Sequence, residues 1–293
     1  MPNDFFQFPH PGGEPPVNFI KNGICPANNT GSHFRKFLRA DKGRYVTPNN
    51  SQDTKDWGHK NDARFTFWGE WELSSSVTFP SNFHQRPRAL NYKDLPFQLH
   101  TPLLSSLASP PVLPKTPTMC GSLARLCGSA NAMSTDPFVF CEPLLYYHCK
   151  IHTFTCLSKL RRGDIVVFGS KLAGNFVVDT VFVVDDWVSV QDPSLCGLFK
   201  QANGAYFLKD KLVCRGASFA NPVDGMFSFF PALPFAAGGT PQPFRRPTLN
   251  LPSLINHNHG RGLRIKHNQN SKAVWQEIVT QIMKQNLILG LRA

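Results

Sequence analysis

The chain has 293 residues and carries 31 Lys and Arg against 19 Asp and Glu, a net charge of +12. Hydrophobic residues make up 41% of it, enough for a real core, which excludes wholesale disorder. No run of about 18 apolar residues occurs, which excludes a membrane-spanning helix.

The 25 Pro and 21 Gly predict many turns. The 25 Phe against 5 Tyr and 5 Trp predict a β-rich interior, because Phe fills a core without needing a hydrogen-bond partner. Met1-Pro2-Asn3-Asp4 lacks the basic start and apolar stretch of a secretory signal. None of the eight Cys forms a Cys-x-x-Cys pair. Reduced thiols in a cytoplasmic protein are therefore expected.

In chain order, residues 1–32 read as an irregular N-terminal arm, and 33–293 as a single β-rich domain. Residues 33–72 read as short β elements broken by the polar stretch Thr47–Asp62, the clearest strand being Arg64 to Trp68. Five prolines between 102 and 118 forbid a helix and predict an extended excursion. Leu160 to Ser170 and Asn175 to Trp187 are nearly continuous apolar runs around a Lys-Leu-Ala-Gly turn. That pattern predicts a hairpin buried on both faces, entered through a tight turn at Gly163-Asp164. Trp275, Ile278, Val279, Ile282 and Met283 share one face of a predicted helix at about 271–285. The fold expectation is mainly β, of α+β type: a bent sheet or barrel closed by this helix.

The charge is clustered. From Gly225 onward eight Lys and Arg face the single acid Glu277, a net of +7. Further clusters are Arg35, Lys36, Arg39, Lys42 and Arg44, and Lys159 with Arg161 and Arg162. Such clustering predicts a polyanion partner, nucleic acid or nucleotide, against the plainer alternative of a solvated basic surface. Arg161, Arg162, Arg261, Arg264 and Lys266 are the expected phosphate contacts.

The run Leu160-x-x-Gly163-Asp164-Ile-Val-Val-Phe-Gly-Ser170 with Phe176-Val-Val-Asp-Thr-Val-Phe-Val-Val184 resembles the central hairpin of PUA-like barrels, the group with PUA, ASCH, EVE and YTH domains. The likeness covers about residues 160–187. It implies a barrel with a pocket for nucleic acid or a modified base, walled by aromatic side chains. Trp68-Gly69-Glu70-Trp71 supplies such a wall: indoles stack on a base, and Glu70 accepts from a base amino group. Strand alternation puts Trp68 and Trp71 on opposite faces, so a bulge at Gly69 is required for both to converge. Otherwise they are ordinary core and edge aromatics. Asp179, inside an apolar strand, is either tied to Thr180, a backbone N–H or an Arg, or lines the pocket. Ser170 is a further polar pocket group, or caps a turn. Asp185-Asp186 reads as the start of a turn.

His148, Cys149 and His152, with Cys141 and Cys156 nearby, have superficially metal-like types but no finger spacing, so no metal is expected. His257-Asn258-His259 lacks the context of a nuclease motif. No phosphate loop, dinucleotide fingerprint or hydrolase elbow occurs, so no cofactor is expected. The leading expectation is a nucleic-acid or nucleotide binding module. One alternative is an enzyme on such substrates, with His148, His152, Glu70 or Asp179 in acid/base roles. The other is a protein-interaction component of a prokaryotic antiviral defence or mobile-element system, its Pro and Phe segments binding a protein partner.

Overall fold

β-branched and aromatic runs separated by Gly and Pro turns dominate the described residues of a computed structural model. These are 4–10, 12–27, 34–49, 53–83, 95–103, 135–147, 157–203, 212–256, 263–265 and 270–293. The strands of the first half are β1 (Phe5–His10), β2 (Ile24–Cys25), β3 (Arg35–Thr47), β4 (Gly58–Glu70), β5 (Ser75–Thr78), β6 (Leu99–Pro102) and β7 (Leu145–Tyr146). Then follow β8 (Ile165–Leu172), β9 (Asn175–Ser189), α1 (Gly197–Asn203), β10 (Leu212–Gly216), β11 (Phe230–Pro234), β12 (Leu263–Ile265), α2 (Ser271–Met283) and β13 (Ile288–Arg292). Among the described residues the protein is mainly β with two α-helices, of the expected α+β type.

Among the described residues two mixed sheets form. One has the order β12-β1-β8-β9-β10-β7, the other β13-β11-β4-β3-β6-β5-β2. In the second, β13 also pairs with β3, so β3, β4, β11 and β13 close a ring. Phe65 and Phe230 lie 6.0 Å apart in the aromatic packing of this ring. Gly43 and Gly290 make room for them. A Cβ on Gly43 would sit 2.3 Å from the Phe65 ring, and one on Gly290 2.2 Å from Phe230.

The hairpin and the helix appear where the sequence predicts them. Ala173 (φ 46°) and Gly174 (φ 83°) form the β8–β9 turn, matching the positive angles that suit a twisted two-residue hairpin. Gly163 (φ 86°) makes the tight turn before β8, and Asp164 locks it. Its Oδ1 accepts from the Asp4 N–H and its Oδ2 from the Arg161 N–H, both at 2.7 Å. Val274, Trp275, Ile278, Val279 and Ile282 of α2 are buried, and the Trp275 indole donates to the Phe227 carbonyl.

Several expectations are corrected. The supposed irregular arm contains β1, a buried strand parallel to β8 over six residues. The domain therefore begins well before residue 33. β3 and β4 are thirteen-residue strands that run into the polar stretch 47–62. Asp185 and Asp186 lie within β9 and pair with Arg162 and Arg215, so they start no turn. Cys141 and Cys196 are disulfide-bonded, while Cys25 and Cys214 are free and buried, so the thiols are not all reduced. All but the first two residues of the Pro-rich excursion 102–118 lie outside the described residues. Among the described residues no helix is long and apolar enough to cross a membrane.

The closed ring yields a stability test. Gly43→Ala should cost about 1–3 kcal/mol, since the Phe65 ring and the Arg292 carbonyl must both give way. Gly13→Ala, with nothing within 4 Å of its Cβ, should cost nothing measurable. Urea unfolding monitored by tryptophan fluorescence compares them, and equal midpoints would refute the packing argument.

Candidate functional site

The two sheets face each other across a buried set of charges. Arg35, at the start of β3, donates through Nη1 to Glu70 Oε2 of β4 at 2.9 Å. Its Nε lies 3.1 Å from Asp179 Oδ2 of β9, in the other sheet. Asp179 also meets Arg246, whose Nη1 is 3.4 Å from Oδ1. Arg246 Nη1 donates to Ser170 Oγ at 2.9 Å and Nη2 to the Gly12 carbonyl at 2.7 Å. Its guanidinium lies 4.4 Å from the Trp68 ring centroid, a cation–π contact. His10 of β1 completes the group, with Nδ1 3.5 Å from Glu70 Oε2.

Two guanidiniums thus balance two carboxylates. Arg35, Glu70, Ser170 and Asp179 are at most 2% exposed and Arg246 is 4% exposed. Burial pushes the Arg246 guanidinium down from its ordinary range, and the Asp179 carboxylate opposes that shift. Isolated charges at this depth would be very costly, so the pairing is the condition for burial.

A β-bulge aims Asp179 into this set. In the β8–β9 ladder Phe168 pairs with Thr180 and Gly169 with Val178, leaving Asp179 as the extra residue. The bulge inverts the alternation of β9. Phe176 and Val178 before it share a core cluster with Val181 and Val183 after it, although their parity differs. Gly169 is required opposite, because a Cβ there would lie 2.0 Å from the Val177 carbonyl.

Of the five residues expected to bind a ligand, Trp68, Glu70, Ser170 and Asp179 therefore meet. Trp71 does not. No register shift occurs between Lys36 and Gly69, so alternation holds. Trp68 packs in the cluster with Phe37 and Trp275, Trp71 in that with Phe138 and Phe140. The Trp68 indole donates to the Phe244 carbonyl and the Trp71 indole to the Ser74 carbonyl. Both indoles are core residues. Glu70, Ser170 and Asp179 have their polar atoms turned on one another or on Arg35 and Arg246, and Trp68 lends its ring face to Arg246. They form an internal ion-pair network, and Glu70 and Asp179 are held in it as paired carboxylates.

A second buried polar group lies in the seven-stranded sheet. Lys36, fully buried, donates from Nζ to the Leu73 carbonyl at 3.1 Å. Burial pushes its pKa down, with Cys25 and Glu72 opposing. The buried Cys25 thiol is pushed up by the same cause, with Lys36 opposing. His100 Nδ1 is 2.9 Å from Ser75 Oγ and Nε2 is 3.2 Å from Gln98 Oε1. Gln98 Nε2 donates to the Pro15 carbonyl, so Oε1 is the acceptor. His100 Nε2–H is then the donor and Nδ1 accepts from Ser75. Burial, with Lys36 adding to it, holds His100 well below the usual imidazole value.

The expected phosphate contacts are mostly engaged. Asp4 Oδ2 takes Arg161 Nη2 at 3.1 Å and Arg264 Nη2 at 2.5 Å, and Arg162 pairs with Asp185 at 3.0 Å. Arg261 and Lys266 lie outside the described residues, as do His148, Cys149, His152, Cys156 and His257–His259. Among the described residues no group of three or more His, Cys, Asp and Glu is arranged to hold a metal.

Another basic surface emerges on the β3–β4 ribbon. Arg39 and Arg64 both stand over the Phe235 ring, at 5.4 and 5.7 Å from its centroid. Arg44 stands 5.8 Å from the Phe219 centroid, and the His59 ring lies 6.3 Å from the same Phe. Lys42, Lys60 and Arg64 are exposed, while both Phe rings are half-buried. Arg39 also pairs with Asp41, and Arg44 with Glu142. The cluster was visible in the sequence at Arg39–Arg44. Its aromatic partners, nearly 200 residues further on, were not.

Compared with known proteins, the chain matches no family model, no curated protein and no solved structure.

Two measurements test these networks. Asp179→Asn leaves two buried guanidiniums facing one carboxylate and should destabilise the fold by about 3–5 kcal/mol in urea unfolding. Ser170→Ala should cost about 1 kcal/mol. Equal losses would break the assignment of Asp179 as the shared counter-ion. For His100 the folded state favours the neutral ring. Its contribution is complete above the ordinary value of 6.5 and is lost as pH falls below it. The stability gap between wild type and His100→Gln should narrow between pH 8 and pH ~5. A constant gap would contradict the depressed value.

Proposed function

We propose that the protein binds nucleic acid along the β3–β4 ribbon. The observation that carries this is the seating of Arg39, Arg44 and Arg64 over the half-buried rings of Phe235 and Phe219. Guanidiniums held within 6 Å of aromatic rings set positive charge for phosphates beside ring surface for unpaired bases. Lys42 and Lys60 add exposed charge beside them. The net charge of +12 and the resemblance of residues 160–187 to PUA-like barrels support the same class of ligand.

This moves the expected interface. Trp68, Glu70, Ser170 and Asp179 are committed to the interior network, Trp71 packs in the core, and Arg161 and Arg264 share Asp4, whereas Lys42, Lys60 and Arg64 are exposed on the ribbon. The cytoplasmic location expected from the sequence is not carried into the proposal, because disulfides such as Cys141–Cys196 persist mainly in oxidising compartments.

Fluorescence anisotropy with single-stranded RNA and DNA, across a salt series, tests the proposal. The logarithm of the association constant should fall linearly with that of the salt concentration. The double variant Arg39→Ala/Arg64→Ala should bind about tenfold more weakly and with a shallower slope. Arg162→Ala, at an exposed and paired arginine, should bind as wild type does. An absence of binding at low salt, or a double variant that binds as tightly as wild type, overturns the reading.

A further inference from the structure

A cavity of about 230 Å³ opens between the tip of the β8–β9 hairpin and the end of α2. Leu172 and Val177 form its apolar wall, and both are buried. Its polar lining comes from Asn175, Arg245, Arg246 and Thr248, with Gln285 from just beyond α2. No carboxylate lines it. That is unusual in a molecule where most arginines near the interior are matched by an acid.

The two arginines play different parts. Arg246 backs the cavity but is turned inward, onto Ser170, Asp179 and the Gly12 carbonyl. Arg245 is exposed at the rim and has no hydrogen-bonding or ionic partner among the described residues. Among the described residues its side chain is therefore a lining cation of the cavity without a partner. Gln285 Nε2 is already spent on the Thr248 and Gln281 carbonyls, which leaves its Oε1 as an acceptor. The Asn175 amide and the Thr248 hydroxyl are exposed and complete the polar rim.

We propose that this cavity binds a phosphate monoester attached to a hydroxyl-bearing, partly apolar group. Arg245, Asn175 and Thr248 would hold the phosphate oxygens, Gln285 Oε1 a hydroxyl, and Leu172 with Val177 the apolar part. The chemistry is that of a nucleoside monophosphate, which exists free or as the 5′-phosphorylated end of a strand. Only the choice of a nucleotide among phosphate monoesters rests on the nucleic-acid reading. The site itself is separate from the β3–β4 ribbon, since the two share no residue.

Isothermal titration of the whole protein with a nucleoside monophosphate and with the matching nucleoside tests the site. The monophosphate should bind, and the nucleoside should bind at least about tenfold more weakly, because it lacks the charged group that Arg245 meets. Arg245→Gln, at an exposed position, should fold normally and lose about tenfold in affinity for the monophosphate. A 5′-phosphorylated oligonucleotide and its 5′-hydroxyl form then distinguish the sources. A gain from the phosphate that disappears in Arg245→Gln assigns the strand end, and an absence of gain beside a binding mononucleotide assigns the free form. Equal affinity for nucleoside and monophosphate, or an unchanged constant in Arg245→Gln, overturns the proposal. The Arg39→Ala/Arg64→Ala variant keeps the two readings apart. It should retain mononucleotide binding, and losing it would overturn the separate site. If the wild type binds the mononucleotide but no oligonucleotide, the ribbon reading alone fails.

Discussion

The contact between Arg35 and Asp179 is where the two sheets become one structure. Each residue belongs to a different sheet, neither reaches water, and each holds a second partner of opposite charge. In a low-dielectric interior such a chain is stable only when every member is present, because a lone charge pays the full desolvation cost. Apolar packing alone would let the sheets slide in many near-equivalent ways. Fixed charges with directional hydrogen bonds select one registry. The same network draws in Gly12 through its carbonyl and His10 beside Glu70, which ties the end of β1 to the seven-stranded sheet.

What the sequence made legible follows the range of the interactions involved. The β8–β9 hairpin and α2 are written in local patterns, a two-residue turn and a helical stripe, and both stand where those patterns put them. β1 is not written locally. Phe5 to His10 is short and flanked by proline, and it is a strand because β8, some 160 residues away, offers it a parallel edge. The ring of β3, β4, β11 and β13 is hidden for the same reason, since its closing pair joins residues 44–46 to 289–292.

The site was half legible. Asp179 stood out as a carboxylate among hydrophobes, and an arginine partner was one of the solutions foreseen for it. Which arginine it would be was not, because Arg35 and Arg246 sit in stretches whose excess charge reads as surface. The bulge that aims Asp179 was equally invisible, since an apolar run buried on both faces looks the same in either parity. Trp71 is the opposite case. Simple alternation already separated it from Trp68, and the bulge that would have joined them is absent at Gly69.

The burial of Arg35, Lys36 and Arg246 also changes what the net charge means. These cations belong to the interior, each beside carboxylates that share it, so they add almost nothing to the field outside. The exposed field is made by fewer groups, among them Lys42, Lys60, Arg64 and Arg245. Salt acts differently on the two sets. At about 0.15 M the screening length is about 8 Å, which weakens attraction between exposed cations and a polyanion but scarcely touches pairs sealed from water. The fold is therefore insulated from the ionic strength that governs its surface contacts. Salt that released the proposed polyanion would therefore leave the packing of the two sheets intact.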